Sequence, residues 1–173
     1  METAELKKLV ERLAPEALLQ CVKFGKSTDG CAWIETGALL KVCAALRAAE
    51  APAFDWLENL SAMQMDEVIV LTYFLRSRVT GRSCRIRSSV EITDADAAVK
   101  FPSVDSVWPA AGAFEKEISE MFGVEFSKAP EQESNAAHWA ETRILPVGWQ
   151  GFPLRKSFTL NVPITTPDAG GIE

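Results

Sequence analysis

The sequence predicts an α+β domain, in which helices pack on a mixed, largely antiparallel sheet and an extended tail follows at the carboxyl end. Three observations predict this class. Apolar runs at strand spacing fill most of residues 54–92, and helical apolar spacing recurs before and after them. Pro and Gly accumulate in the last residues without a periodic pattern.

The chain has 173 residues and is most economically one domain, because single domains span roughly 100 to 200 residues. Its hydrophobic fraction of 47% and charged fraction of 24% are typical of a folded globular protein. We expect the domain to occupy residues 1–160 and the tail to occupy residues 161–173.

The first helix is predicted to begin with Thr3 as its N-cap and to end near Pro15. Its apolar residues recur at helical spacing: Leu6, Leu9, Val10 and Leu13. The segments ALLQCVKF and CAWIE follow as two strands joined by the turn-forming stretch GKSTDG. Thr36 is the predicted N-cap of a second helix with a four-residue apolar face: Leu39, Leu40, Cys43 and Leu46.

Three further strands are predicted from FDWLENLSAM, EVIVLTYFL and SCRIRSSVEI, and the last two form a hairpin through SRVTGR. EVIVLTYFL is apolar on both sides, so we expect it to be a central strand. SCRIRSSVEI alternates, and its core side carries four residues: Cys84, Ile86, Ser88 and Val90. Its exposed side carries the other four: Arg85, Arg87, Ser89 and Glu91.

The stretch WPAAGAFEKEISEMFG predicts a third helix, with Pro109 in its first turn and Gly123 as its stop. We expect an apolar stripe on one side of this helix: Phe114, Ile118, Met121 and Phe122. Another face carries Glu117 and Glu120, and Lys116 is placed to pair with Glu120 one turn away.

Composition also narrows the class of function. The net charge of -6 argues against a nucleic-acid binder, which needs a basic excess. The longest apolar run, Val68–Leu75, is far shorter than the roughly 20 residues of a membrane span. The amino end lacks the apolar region of a secretory signal, so we expect a cytoplasmic protein.

The four cysteines form no C-x-x-C pair and are predicted to be buried thiols rather than metal ligands.

Two charged clusters leave alternative functions open. Five arginines fall between positions 76 and 87, and they form either an anion-binding strand face or a solvated hairpin: Arg76, Arg78, Arg82, Arg85 and Arg87. Glu117 and Glu120 are the candidates for an acid–base pair, with Arg155 or Lys156 holding a small carboxylated substrate.

Two stretches, FPSVDSVWPAAGAFEKEISEMFGVEF and RILPVGWQGFPLRKSFTL, together resemble the signature region of the C-type subunit family of the respiratory NADH-quinone oxidoreductase, complex I. The first stretch matches through eight residues: Trp108, Pro109, Ala110, Ala111, Glu115, Glu117, Phe122 and Gly123. The second matches through seven: Trp149, Gly151, Pro153, Leu154, Arg155, Lys156 and Phe158.

This sequence departs from the family pattern in four places. Lys116 stands where the family has arginine, Glu120 where aspartate is usual, and Ser157 where an acid follows Arg-Lys. The Gly-His-Pro-Asp-Leu-Arg element expected after Phe126 is missing. The resemblance therefore leaves two identities open: a divergent member of the C-type subunit family, or the equivalent subunit of a membrane-bound hydrogenase complex.

The resemblance implies a non-catalytic docking subunit. Such proteins carry no flavin or iron–sulfur cluster and pack against the larger subunit that forms the quinone site. They lie in the peripheral arm, on the cytoplasmic face of the inner membrane. We therefore expect no cofactor, no metal and no catalytic residue on this chain, and we expect its partners to be the quinone-site subunit and other peripheral-arm subunits.

In that role we expect the partner interface to use aromatic anchors and charged groups from both signature stretches. The anchor candidates are Trp108, Trp149, Phe152 and Phe158. The charged candidates are Glu115, Glu117, Glu120, Arg155 and Lys156. Gly151 and Pro153 are expected to turn the chain off the domain, so that acids of this chain or of the partner fix Arg155 and Lys156.

Overall fold

The computed structural model describes residues 1–23, 29–94, 97–127 and 144–159. The predicted tail and most of the predicted GKSTDG loop lie outside these residues. The α-helices within them are α1 (Thr3–Leu13), α2 (Leu39–Ala48) and α3 (Ala111–Phe122). The strands are β1 (Leu18–Lys23), β2 (Gly30–Ile34), β3 (Trp56–Met65), β4 (Val68–Arg76), β5 (Ser83–Glu91), β6 (Val99–Pro102) and β7 (Val124–Ser127).

The five strands β1 to β5 form one sheet in the order β1-β2-β5-β4-β3. All neighbouring pairs are antiparallel except β2 with β5, in which Cys31 lies opposite Arg85. The predicted mixed, largely antiparallel sheet and the β4–β5 hairpin are therefore confirmed. Strand β4 is an interior strand, as predicted, although β5 is the middle one.

The inner face of this sheet carries the main core. Leu60, Tyr73 and Ile86 are aligned across β3, β4 and β5, and all three are buried. The helices cover this face with apolar side chains such as Leu6 of α1 and Ile118 of α3. Because each buried side chain of this size contributes about 1.5 to 3 kcal/mol, the inner face makes a large contribution to the stability of the fold.

The outer face of the sheet carries the alternate residues of the same strands. Trp33, Arg87 and Thr72 are aligned across β2, β5 and β4. The guanidinium of Arg87 lies 5.5 Å from the centre of the Trp33 ring, and its Nε donates to Thr72 Oγ1 at 3.0 Å. The predicted alternation of β5 is confirmed, since Cys84 and Ile86 are buried on the inner face.

The helix beginnings differ from the predicted caps. Glu2, rather than Thr3, is the N-cap of α1, because an isolated bridge with Asp29 keeps Glu2 extended. A 3-10 turn over Thr36–Ala38 precedes α2, and Glu35 accepts the amide of Ala38 at 3.0 Å. Thr36 does not cap α2, because its Oγ1 instead donates to the carbonyl of Ser89 at 3.0 Å.

Helix α3 begins at Ala111, so Pro109 precedes the helix rather than lying in its first turn. Its predicted stop is confirmed, because Gly123 adopts φ 65 and donates to the carbonyl of Ser119. The buried stripe is shifted by part of a turn from the prediction: Ala111, Glu115, Ile118 and Phe122. Phe114 and Met121 are only partly buried at the edge of the core.

Strands β6 and β7 flank α3 and pair in parallel, with Phe101 opposite Phe126. Neither strand was predicted from the sequence, since each has only four residues. Together they form a β–α–β unit beside the main sheet, and this unit fixes the two ends of α3.

The cysteines are largely interior, as predicted. Cys31, Cys43 and Cys84 are buried, and burial raises the pKa of Cys31 to about 11. Burial also raises the pKa values of Cys43 and Cys84. Cys21 is the exception, because it is only partly buried. These thiols remain protonated near neutral pH, which makes them poor nucleophiles.

Candidate functional site

The residues 144–159, here called the C-terminal segment, pack across the end of α3. Helix α3 leaves its last carbonyl groups without helical partners, and this segment supplies donors to them. The amide of Leu154 donates to the carbonyl of Met121 at 3.0 Å. The Phe152 ring lies against Gly123, where a Cβ atom would overlap it.

Arg155 holds this contact together. Its Nε donates to the carbonyl of Phe122 at 2.7 Å, and its Nη2 donates to those of Gly123 at 3.2 Å and Ala97 at 2.8 Å. The residue is 3% exposed, and its guanidinium lies 4.9 Å from the centre of the Phe152 ring. A cation at a helix carboxyl terminus is also favoured by the helix dipole.

Backbone carbonyl groups therefore bind the Arg155 guanidinium, while the expectation that acids of this chain or of the partner also fix it stays a prediction. Five rigid N–H donors suit a cluster of carbonyl groups that the end of a helix and a neighbouring loop bring together. This arrangement explains why Arg155 follows the Gly-x-Pro turn: it fastens the C-terminal segment to the domain.

Glu120 makes the second attachment. Its Oε2 accepts the backbone amides of Ile144 at 2.9 Å and Leu145 at 2.8 Å. Lys116 Nζ lies 3.2 Å from Oε1, which confirms the predicted pair. Burial opposes ionisation of Glu120, but the amides of Leu145 and Ile144 and the Lys116 ammonium outweigh it, and the pKa of Glu120 is lowered.

Around these attachments the segment carries apolar side chains at its surface. The rings of Trp149 and Phe158 stack with centres 6.0 Å apart. Trp149 is 38% exposed and Leu154 is 55% exposed. A cleft of about 240 Å³ separates Trp149 and Phe152 from α3. We call Trp149 and Leu154, with the partly buried Phe152 and Phe158, the C-terminal surface.

Lys156 lies at the border of this surface. Its backbone amide donates to Gln64 Oε1 at 2.8 Å, while its ammonium is exposed and 3.9 Å from Asp66. An ion pair this long and this exposed contributes little to stability. Lys156 is therefore held by its backbone, and its charge stays at the surface.

The structure places Trp108 and Glu115 in the interior, away from the C-terminal surface. Trp108 is 3% exposed, and its Nε1 donates to the carbonyl of Phe54 at 3.1 Å. Glu115 is 6% exposed and accepts from Ser103 Oγ at 2.7 Å and from the Val104 amide at 2.8 Å. Both side chains connect the loop before α3 to the core.

The arrangement of Glu117 and Glu120 does not suit acid–base catalysis. Glu120 is occupied by two amides and a lysine, and its lowered pKa keeps it ionised, whereas a general acid needs a raised pKa. Glu117 is exposed and makes no polar contact with a described residue. The two carboxylates therefore share no reaction centre within the part of the chain that the structure describes.

The arginine hairpin is largely neutralised by acids of this chain. Arg76 pairs with Glu58 at 2.8 Å, Arg82 with Glu5 at 3.4 Å and Arg85 with Asp29 at 3.1 Å. Arg78 pairs with Asp55 at 2.7 Å. The amide and guanidinium of Arg78 lower the pKa of Asp55. These contacts favour an ion-paired surface over an anion-binding site.

Among the described residues, no group of three or more His, Cys, Asp or Glu side chains is placed to hold a metal ion. Within the same ranges, no helix has both the length and the apolar character of a membrane span.

The sequence comparisons fit this geometry. The family model described as the 30 kDa subunit of the respiratory-chain NADH dehydrogenase matches residues 32–163, which include α2, α3 and the C-terminal segment. The chain belongs to this family. The two signature stretches, one around α3 and one in the C-terminal segment, both lie inside the matched region.

Relatives of the 30 kDa subunit family include the C subunit of the NADH-quinone oxidoreductase of Acidothermus cellulolyticus, which is 32% identical over 128 residues, 73% of this chain and 62% of the relative. The C/D subunit of Psychrobacter sp. is 32% identical over 146 residues, and that of Acinetobacter baylyi is 28% identical over 145 residues. Both alignments cover 78% of this chain, but the chain spans only 22% of each C/D protein.

A solved structure of the membrane-bound sulfane sulfur reductase, an archaeal respiratory membrane complex, contains a chain of the same fold. The TM-score is 0.59 and the identity is 20%, with 76% of this chain and 73% of that chain covered. This likeness shows that the two chains share a fold.

Proposed function

We propose that this chain is a non-catalytic docking subunit of a proton-translocating NADH-quinone oxidoreductase. In this role it packs against the larger quinone-site subunit of the peripheral arm and supports electron transfer from NADH to quinone without binding a cofactor. Its association with the cytoplasmic face of the membrane is indirect, through its partners. The family membership and the NADH-quinone oxidoreductase relatives support this proposal.

The observation that carries the proposal is an exposed aromatic surface on a segment that is fastened at several points. Trp149, Leu154 and Phe158 are held in place by Arg155 and Glu120, although the segment contains no helix or strand. Preorganisation reduces the entropy lost on association, and stacked aromatic residues are common interface anchors. The C-terminal surface is therefore the proposed contact with the quinone-site subunit.

A co-purification experiment with matched tryptophan variants tests the proposal. The full chain carries an affinity tag and is expressed in its native host, with either Trp149→Ser or Trp56→Ser. Both tryptophans are exposed, at 38% and 48%, but Trp56 lies on β3, away from the C-terminal surface. We expect the Trp56 variant to recover the oxidoreductase subunits and the Trp149 variant to lose most of them.

Two results would contradict the proposal. One is recovery of the unmodified chain only as a monomer, without oxidoreductase subunits. The other is equal recovery of the subunits by both variants. If the unmodified chain co-purifies with hydrogenase subunits instead of an NADH-oxidising module, it belongs to a membrane-bound hydrogenase complex.

A further inference from the structure

A second surface feature lies on the outer face, at the end of the β3–β4 hairpin, and the C-terminal surface does not include it. It is an open hollow of about 620 Å³, here called the β3–β4 hollow. Its floor and walls are mostly apolar: Trp33, Met65, Val68, Val70, Ser89 and Ile92. Its rim is acidic: Asp66, Glu67 and Glu91.

The strand register explains why the hollow exists. Met63, Val70 and Ser89 are aligned across β3, β4 and β5, and Met65, Val68 and Glu91 form the next row. Val70 is only 1% exposed, so it closes the floor of the hollow, whereas Met65 in the next row is 45% exposed. Covering exposed apolar surface such as that of Met65 with a partner side chain is favourable.

The rim charges have little compensation within the described chain. Glu67 and Glu91 are exposed and make no ion pair with a described residue, and Asp66 has only the distant ammonium of Lys156 at 3.9 Å. Arg87 lies on the same face of β5 as Ser89, and its Nε donates to Thr72. A ligand that complements the hollow therefore combines an apolar group with flanking positive charges.

We propose that the β3–β4 hollow is a docking site for a partner segment in which a large apolar side chain is flanked by lysine or arginine. A second copy of this chain fits poorly, since pairing two hollows would bring six carboxylates together. The chain's own residues 161–173 also fit poorly, because they contain Asp168 and Glu173 and no lysine or arginine. This site goes beyond the proposed function, which concerns the C-terminal surface.

Peptide titration of the isotopically labelled full chain, followed by NMR, tests the site. Three blocked hexapeptides serve as probes: Lys-Lys-Leu-Phe-Lys-Lys, Glu-Glu-Leu-Phe-Glu-Glu and Lys-Lys-Ser-Gly-Lys-Lys. We expect only the first to shift the indole N–H signal of Trp33 and the amide signals of Val70 and Ser89. The shifts should weaken as salt is added, because the rim charges are exposed.

The chain offers a matched control for the apolar part of the site. Met65 lines the hollow and is 45% exposed, whereas Met63 lies on the same face, outside the lining, and is 42% exposed. We expect Met65→Asp to abolish the peptide shifts and Met63→Asp to retain them. For the rim, the double variant Glu67→Lys, Glu91→Lys should weaken binding about tenfold at low salt.

The proposal is overturned if no peptide shifts these signals, if the acidic peptide binds as well as the basic one, or if both methionine variants behave alike. The outcome is independent of the proposed function, because the titration uses the isolated chain. The Trp149→Ser variant should bind the basic peptide normally even where it loses the oxidoreductase subunits.

Discussion

Arg155 and Lys156 are adjacent in sequence but have different physical roles. Arg155 is buried and binds backbone carbonyl groups at the end of α3, while the Lys156 ammonium is exposed and nearly free of contacts. Their different surroundings follow from the turn that precedes them, which directs one side chain inward and the next outward. Their substitutions should therefore have very different effects on stability.

We predict that Arg155→Met lowers the free energy of unfolding by about 2 to 3 kcal/mol, because it removes a buried charged donor from the carbonyl of Phe122 and breaks the bond to the carbonyl of Ala97. Arg155→Lys should recover only part of this loss, since one ammonium cannot reach all of the acceptors. Lys156→Met is the matched control and should change stability by about 0.5 kcal/mol or less. Urea unfolding measures the stability of all three variants. Similar midpoints for Arg155→Met and Lys156→Met would refute the role given to Arg155.

Glu120 gives a prediction about pH. Its pKa is lowered in the folded state, so its contribution to stability is present above the unfolded-state pKa and is lost as pH falls through the lower folded value. The stability difference between the native chain and Glu120→Gln should therefore be greatest near neutral pH and should shrink below about pH 4. Glu117→Gln, one turn away and exposed, is the control in the same denaturation series. A difference that is constant with pH would contradict the assignment.

At the scale of elements, the end of α3 depends on Gly123 for two reasons. Its φ of 65 lies in the left-handed region, and the Phe152 ring occupies the space of a Cβ atom. Gly81 also has a positive φ, of 68, but a Cβ atom there would meet nothing within 4 Å. Alanine substitutions at these two glycines therefore distinguish the cost of backbone strain alone from the added cost of overlap with Phe152.

We predict that Gly123→Ala destabilises the chain by about 2 kcal/mol or more, whereas Gly81→Ala costs about 1 kcal/mol from backbone strain alone. The first substitution should also detach Phe152, so that the amide of Leu154 exchanges faster with solvent. Thermal unfolding and hydrogen exchange would measure these effects. Equal losses for the two variants would show that Phe152 does not pack on the end of the helix as described.

The sequence predicted the elements with strong local patterns and missed contacts between distant segments. The alternation of Cys84, Ile86 and Ser88 was sufficient to orient β5. The parallel pairing of Cys31 with Arg85 could not be predicted from local sequence patterns, because the two residues are far apart in the chain and only folding brings them together.

For the site, the sequence identified the residues of the C-terminal segment but not their partners. The carbonyl groups that bind Arg155 have no sequence signature, so their arrangement could not be predicted. The burial of Glu115 could have been predicted, because it shares helical spacing with Ala111, Ile118 and Phe122.

At the scale of the whole molecule, the sheet separates two surfaces of different chemistry. The inner face and its helices support the C-terminal surface, which is aromatic and fastened by buried polar contacts. The outer face ends in the acidic β3–β4 hollow. In the proposed function and the further inference, these two surfaces are the sites at which this chain contacts partners.

Hydrogen–deuterium exchange across residues 144–159 tests the central claim most directly, when the isolated chain is compared with the complex purified from its native host. We predict that the amides of Ile144, Leu145 and Leu154 are already protected in the isolated chain, because Glu120 and Met121 accept them. Protection should then extend across Trp149 to Phe158 in the complex. Unchanged exchange of these residues on assembly would contradict the claim that the C-terminal surface docks against a partner.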